Sequence, residues 1–195
     1  MKSPVQILVE DGRSAVTYFP DYIPPGRADA LLRWSLDHIP WKAETYNFGG
    51  KVVETRRKSA AFGTDPELAT YTYSGVTRTA DPMPSALRTL PPTDHNFVLA
   101  NLYPDGKAAI GAHADDEPEL GPTPLIACLS LGAARRLVFT DKKTGKRAHE
   151  VVLEHGSFLV MSGETQQHFK HAIPAQPSIR LPRVSFTYRT LKATS

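Results

Sequence analysis

Arg183-Val184-Ser185-Phe186-Thr187-Tyr188-Arg189 reads as a β-strand, and the fold is decided by what surrounds it. Side chains alternate across a strand, so two arginines six residues apart share one face. Guanidinium groups on one face repel unless an anion sits between them; the bland alternative is a solvated sheet surface. Upstream, short strands are expected at Phe97–Tyr103, Leu125–Leu131, Arg135–Thr140, Glu150–Leu153, Ser157–Met161 and Phe169–Ile173, with the last at Val184–Leu191. Thr144-Gly145 and His155-Gly156 supply turns between neighbours. Before these strands come a short N-terminal lead and helices. After Pro24-Pro25-Gly26, the residues Ala28, Leu31, Leu32, Ser35 and Ile39 recur at helical spacing, and Pro40 marks the stop. Pro84 to Leu90 suggests a second short helix, ended by Pro91-Pro92. Many short strands after helices predict a mostly β chain with supporting helices, α+β in class, folded as a two-sheet jelly roll.

The residues between these strands carry chemistry. His113-Ala114-Asp115 is followed 56 residues after its Asp115 by His171, and then by the arginine-bearing strand. If His113 and Asp115 lie on an extended segment, both project to one face, and a third ligand from a distant strand completes one triangular face of an octahedron. Three positions then stay open, enough for a chelating 2-oxo acid and dioxygen. A lone H-x-acid triplet says little, since roughly one is expected by chance in a chain of this composition. Zinc is the rival metal, but its structural sites favour closed, cysteine-rich sets, and this chain has one cysteine, Cys128. Two imidazoles, a carboxylate and a guanidinium pair together point to a non-heme Fe(II) centre with an acidic co-substrate. Of the other histidines, His168 stands three residues before His171 and competes with it on spacing alone, while His38, His95, His149 and His155 have no metal-like spacing.

With 195 residues and 41% hydrophobic content, the chain can bury one sizeable core. The net charge is +3 and the pI about 9.0, so local clusters matter more than the total. Thr55-Arg56-Arg57-Lys58 and Asp141-Lys142-Lys143-Thr144-Gly145-Lys146-Arg147 could neutralise phosphates or be solvated turns. A lone cysteine excludes an internal disulfide framework. Neither a signal sequence nor a membrane-spanning run is visible, and a cytoplasmic or nucleoid-associated location is the expectation.

The chain resembles the AlkB-type Fe(II)/2-oxoglutarate-dependent nucleic-acid demethylases, and is most similar to the members that repair duplex DNA. The matching segments run from Arg57 to Leu191: Arg57-Lys-Ser-Ala-Ala-Phe-Gly63, Tyr71-Thr-Tyr-Ser-Gly75, Asn96 to Gly106, Ile110-Gly-Ala-His-Ala-Asp-Asp-Glu117, Ser130-Leu-Gly132, His155-Gly-Ser157, Thr165 to His171 and Pro182 to Arg189. The resemblance implies a double-stranded β-helix. It makes His113, Asp115 and His171 the iron ligands, the last because His171 precedes Ala172-Ile173-Pro174, which leaves His168 a supporting role. It gives Asn101, Tyr103, Arg183, Thr187 and Arg189 to 2-oxoglutarate, groups suited to a carboxylate. The chain departs from the family at Ser185, where many relatives carry asparagine. Tyr71 and Tyr73 fall at the nucleobase pocket, although read alone they are ordinary strand aromatics. Asp116 falls near the exocyclic group of the base, and Phe48, in the turn-like Tyr46-Asn47-Phe48-Gly49-Gly50, is the candidate wedge for the gap left by a flipped base.

The implied activity is oxidative demethylation of 1-methyladenine and 3-methylcytosine, consuming 2-oxoglutarate and O2 and releasing formaldehyde, succinate and CO2. Both lesions are cationic, which suits a pocket containing Asp116. The expected arrangement is one catalytic domain over 1–195, with helical support and nucleotide-recognition segments in 1–95 and the jelly-roll core in 96–191. Its expected partner is alkylated DNA, with RNA left open, and it is expected to act as a monomer away from membranes. Two alternatives stand beside this one: a 2-oxoglutarate hydroxylase of a protein or small molecule, and a non-catalytic nucleic-acid-binding relative.

Overall fold

Residues 183–189 form a strand whose alternate side chains meet two different environments. Val184, Phe186 and Tyr188 are buried in an apolar cluster, whereas Arg183, Ser185, Thr187 and Arg189 line a cavity on the opposite side. A computed structural model, which describes residues 5–48, 51–65, 70–73, 76–90 and 95–192, shows how the chain builds both sides.

In chain order the strands are β1 (Gln6–Glu10), β2 (Ser14–Phe19), β3 (Lys42–Phe48), β4 (Lys51–Gly63), β5 (Thr70–Tyr73), β6 (Val76–Thr79), β7 (Asp81–Pro82), β8 (Phe97–Tyr103), β9 (Ile110–His113), β10 (Ile126–Gly132), β11 (Arg135–Asp141), β12 (Arg147–Leu153), β13 (Ser157–Gly163), β14 (Phe169–Ile173) and β15 (Arg183–Arg189). The helices are α1 (Pro25–His38), α2 (Ser85–Arg88) and α3 (Thr165–His168). The larger sheet runs β1-β2-β13-β10-β15-β8-β4-β3, with β7 beside β4, and the smaller runs β12-β11-β14-β9. Strands β5 and β6 form a separate antiparallel pair. Two facing antiparallel sheets make the jelly roll that the strand pattern predicts.

The two faces of the larger sheet serve different purposes. Its inner face contributes Leu99, Ile126 and Leu159 to a cluster completed by Leu137, Phe139 and Phe169 of the smaller sheet. Its outer face presents Val98, Leu129 and Phe186 to Ala28 and Leu31 of α1 and Leu87 of α2. Each large apolar side chain so enclosed contributes ~1.5–3 kcal/mol. Helix α1 opens on Pro25, at a position that needs no backbone N–H, and ends where Ile39 turns extended. Its buried residues Ala28, Leu31 and Ser35 follow the spacing seen in the sequence.

All seven strands expected from Phe97 onward are present, with ends shifted by up to three residues. The lead was not read as strands, and between the helices only Tyr71 and Tyr73 were given to one, yet β1 to β7 lie there, and β1 to β4 and β7 join the larger sheet. The reason is local: β4 carries Glu54, Arg56 and Lys58 outward along 13 residues, and its exposed half lacks the apolar alternation that marks a strand.

Arg135 stitches the inner end of the sandwich together. It is 1% exposed, and its guanidinium donates to the carbonyls of Asp105 (3.2 Å), Ala108 (2.7 Å) and Pro174 (2.9 Å). The loop leaving β8 and the chain leaving β14 are thereby held against β11.

Gly132 closes β10 opposite Arg183 with φ of +85°, and a Cβ there would lie 2.4 Å from the Pro182 carbonyl oxygen. Gly145, in the β11–β12 turn, also has positive φ (+68°) but open space around it. Gly132→Ala is expected to lower stability by ~1–3 kcal/mol, and Gly145→Ala by less, in denaturant melts. Equal losses would remove the close approach as the cause.

Candidate metal and co-substrate site

Antiparallel pairing of β9 and β14 sets His113 directly opposite His171, with ring centroids 4.3 Å apart. Asp115 does not share the strand as the sequence reading supposed, because β9 ends at His113. Its place is set instead by Gln166 of α3, whose Oε1 accepts the Asp115 backbone N–H at 3.0 Å. The candidate ligand atoms of His113, Asp115 and His171 all lie within 4.8 Å of one another. His113 Nδ1 donates to the Gly111 carbonyl at 2.8 Å, which leaves the Nε2 lone pair to face Asp115 Oδ1 at 3.8 Å.

Electrostatics keep this trio ready for a cation. Burial, reinforced by His113 alongside, pushes His171 down to about 3, and burial also lowers His113. Burial would raise Asp115, but the Arg189 guanidinium at 2.9 Å, with the two histidines, outweighs it and holds the carboxyl below its ordinary value. At neutral pH the set is two uncharged imidazoles and one carboxylate, the protonation state that a divalent metal requires. Nitrogen and oxygen donors on one face, with no thiolate, suit iron(II) with open positions.

The cavity walled by this trio also contains Asn101, Tyr103, Arg183, Thr187 and Arg189, so the eight positions that the sequence singled out for metal and co-substrate share one space. Of its two arginines, Arg189 gives Nη2 to Asp115 Oδ1 at 2.9 Å. Arg183, 1% exposed, gives Nη2 to Ser130 Oγ at 2.8 Å, while its Nε and Nη1 have no hydrogen-bond partner among the described residues. Tyr103 lies beneath both Arg183 and Arg135, 5.1 and 5.4 Å from its ring centre. Burial raises the Tyr103 phenol despite Arg183, so its hydroxyl stays protonated and can donate. A buried cation with unused N–H groups, flanked by a phenol, is a receptor for a carboxylate. A dicarboxylate that chelates a metal at one end fits this donor set.

Asn101 is oriented from behind. Its Oδ1 accepts from Arg57 Nη1, Arg57 Nη2 meets Glu44 Oε2 at 2.8 Å, and Ser59 Oγ donates to Glu44 Oε1 at 2.7 Å. With its oxygen engaged, the Asn101 amide has its NH2 group to offer the cavity. Ser185, the departure from the family pattern, is buried opposite Asn101 and lines the same space.

Several of these supports were missed in the sequence. Arg57 belongs to a stretch read as either a phosphate contact or a solvated turn, but alternation on β4 turns it inward while Arg56 and Lys58 face out. Alternation from the Ser59-Ala60-Ala61 end was the available signal. Glu44 and Gln166 reach the site through tertiary contacts that no local motif announces. His168 takes a supporting position, with Nδ1 3.0 Å from Ser14 Oγ and Nε2 3.4 Å from Glu164. Asp116 stands at the rim, 57% exposed, and its Oδ2 meets Lys142 Nζ at 2.9 Å. Phe48 ends β3 opposite Lys51, and Tyr71 and Tyr73 lie on β5; the side chains of all three are outside the described part of the structure.

Comparisons with known proteins place the chain in a family. Residues 15–189 match the 2OG-Fe(II) oxygenase superfamily. The chain is 34% identical to the alpha-ketoglutarate-dependent dioxygenase alkB homolog 3 of Homo sapiens, over 92% of this chain and 67% of that protein. It is 41% identical to the DNA oxidative demethylase ALKBH2 of Mus musculus, over 74% of this chain and 66% of that protein. Among solved structures, one titled as the structure of OsALKBH1 superposes with a TM-score of 0.59 at 18% identity, covering 90% of this chain and 97% of that one, which supports the fold.

The lowered histidine has a consequence for stability. As pH falls below about 6.5, an unfolded His171 takes up a proton that the folded one refuses until about 3. Stabilisation that is full above the unfolded value is therefore lost progressively toward about 3, and the lowered Asp115 acts in the same direction at the acid end. The metal-free protein is expected to melt at steadily lower temperature from pH 7 to pH 4, with a shallower slope in His171→Asn. Identical slopes for the two would show that His171 is not enclosed as described.

Proposed function

The chain belongs to the 2OG-Fe(II) oxygenase superfamily, and on that premise we propose that it repairs alkylated nucleic-acid bases, removing the methyl groups of 1-methyladenine and 3-methylcytosine by oxidation. As a dioxygenase of this family it works with Fe(II), 2-oxoglutarate and O2. The observation that carries the proposal is a single cavity holding both a His-Asp-His trio and the open Arg183 guanidinium. Relatives named as DNA oxidative demethylases support the choice of substrate class.

In this reading His113, Asp115 and His171 hold the iron, and Arg183 takes the far carboxylate of 2-oxoglutarate, with Tyr103, Asn101, Thr187 and Arg189 completing the clamp. Iron with its co-substrate and dioxygen supplies the oxidising equivalents when bound. The protein's residues do the positioning. Arg189 orients the Asp115 carboxylate and Gln166 its backbone, so the donor atoms need little reorganisation on metal entry. Leu99, Ile110 and Leu153 give the cavity an apolar wall beside the trio. Overall, one oxygen atom of O2 enters succinate and the other leaves with the methyl carbon as formaldehyde.

On the substrate side, Tyr71 and Tyr73 are assigned to stack on the flipped base and Phe48 to fill the gap it leaves. Asp116 suits the positive charge of a methylated base, and its exposed pair with Lys142 is weak enough to open for it. We take residues 1–195 as one catalytic domain acting as a monomer on alkylated DNA, with RNA left open. Among the described residues, no helix is long and apolar enough to cross a membrane.

The direct test is anaerobic reconstitution with Fe(II) and 2-oxoglutarate, then exposure to air with an oligonucleotide carrying either lesion. Loss of the methyl group with matching succinate and formaldehyde is expected. Succinate without repair would redirect the search to a protein or small-molecule hydroxylase, and neither product, with iron bound, to a binding protein.

Two variants sharpen the roles. Asp115→Ala is expected to lower turnover by more than ~100-fold while leaving DNA binding, followed by fluorescence anisotropy, largely intact. Persistent turnover with iron bound would overturn the ligand assignment. Phe48→Ala is expected to slow repair of duplex more than of single strands, and equal losses on both would remove the wedge.

A further inference from the structure

Cys128 is the chain's single cysteine and sits in the middle of β10, flanked in the sheet by β13 and β15. Its neighbours Ala127 and Leu129 are buried in the outer cluster, yet Cys128 itself keeps partial exposure. Alternation accounts for the contrast. Cys128 lies on the inner face of the sheet and lines the cavity of the His-Asp-His trio, as do its cross-strand partners Leu159 and Thr187. Solvent therefore reaches the thiol through the cavity.

Two residues along the same face of β10, Ser130 holds Nη2 of Arg183 at 2.8 Å. The remaining Nε and Nη1 of that guanidinium, enclosed at 1% exposure, have no hydrogen-bond partner among the described residues. Two residues of strand span about 7 Å, so a soft nucleophile and a carboxylate receptor face one cavity about the length of a short acid apart.

We propose that Cys128 is a covalent modification site for small carboxylates bearing an electrophilic carbon, which Arg183 docks against the thiol. The thiolate is the reacting form. Its electron pair attacks the carbon that carries the leaving group: with iodoacetate a C–S bond forms, the C–I bond breaks, iodide departs with its electron pair, and the thiol proton passes to solvent. The adduct leaves a tethered carboxylate beside Arg183. That the adduct also blocks the enzyme rests on the co-substrate reading above, because it fills the place assigned there to 2-oxoglutarate.

The test uses the metal-free full chain with iodoacetate and with its neutral counterpart iodoacetamide, following intact mass over time. Adducts formed by the wild type and absent from Cys128→Ser report on Cys128. The acid-to-amide rate ratio is compared with that of glutathione, a thiol without a docking cation. It is expected to exceed the glutathione ratio by ~10-fold or more, to fall back toward it in Arg183→Met, and to fall in the wild type when succinate is added. A wild-type ratio no higher than that of glutathione, or absence of any adduct, would overturn the proposal even if the arginine variant fails to fold. Failure of the co-substrate reading looks different: the iodoacetate preference would persist while 2-oxoglutarate neither protects Cys128 in the Mn(II)-loaded protein nor binds by calorimetry.

Discussion

A guanidinium enclosed within a β-sandwich is the constraint on which the rest of the site depends. Taking such a charge out of water costs on the order of several kcal/mol unless other groups compensate. Arg183 recovers part of that through Ser130 and part through the face of Tyr103, but two of its nitrogens find no hydrogen-bond partner among the described residues. Arg135, equally enclosed and beside the same tyrosine, gives both terminal nitrogens to three backbone carbonyls and so becomes a structural tie. The contrast separates a residue that holds the fold from one that awaits an anion.

The sheet architecture makes this possible through its period of two. Along β15 the even-numbered residues Val184, Phe186 and Tyr188 bind the sheet to its helical backing, while the odd-numbered ones turn into the cavity. The same alternation on β8 sends Asn101 and Tyr103 inward and Ala100 and Leu102 outward. A one-residue slip of either strand would exchange core for site, so apolar packing on the outer face fixes the register of the chemistry on the inner one. The smaller sheet adds the histidines by the same logic, since the β9–β14 register alone sets their rings side by side.

What could be read in the sequence follows from these periodicities. Seven of the eight strands from Phe97 onward were legible because each is apolar on at least one face, whereas β9, with no buried residue, was not; the arginines of β15 were legible because they sit at the same parity. The trio His113, Asp115 and His171 was visible as residue types and order, and the resemblance chose His171 over His168. Less accessible were the supports that depend on distant contact. Gln166 bonds Asp115 across 51 positions and Arg57 bonds Asn101 across 44, and neither leaves a local signature. The β3–β4 pair escaped for a related reason: outside the sandwich its residues serve no apolar core and so show no binary pattern. Cys128 was weighed in the sequence only against zinc and disulfides, and its place on the site face emerged from strand register.

Whether Arg183 is the receptor for one end of a dicarboxylate decides how the site works. Calorimetric titration of 2-oxoglutarate into the Mn(II)-loaded protein, wild type against Arg183→Met, measures this without turnover. Charge-assisted hydrogen bonds contribute ~1.5–3 kcal/mol each, so stoichiometric binding in the wild type is expected to weaken by ~10–100-fold in the variant, with Mn(II) affinity retained. Equal affinity for 2-oxoglutarate in the two proteins would contradict the account.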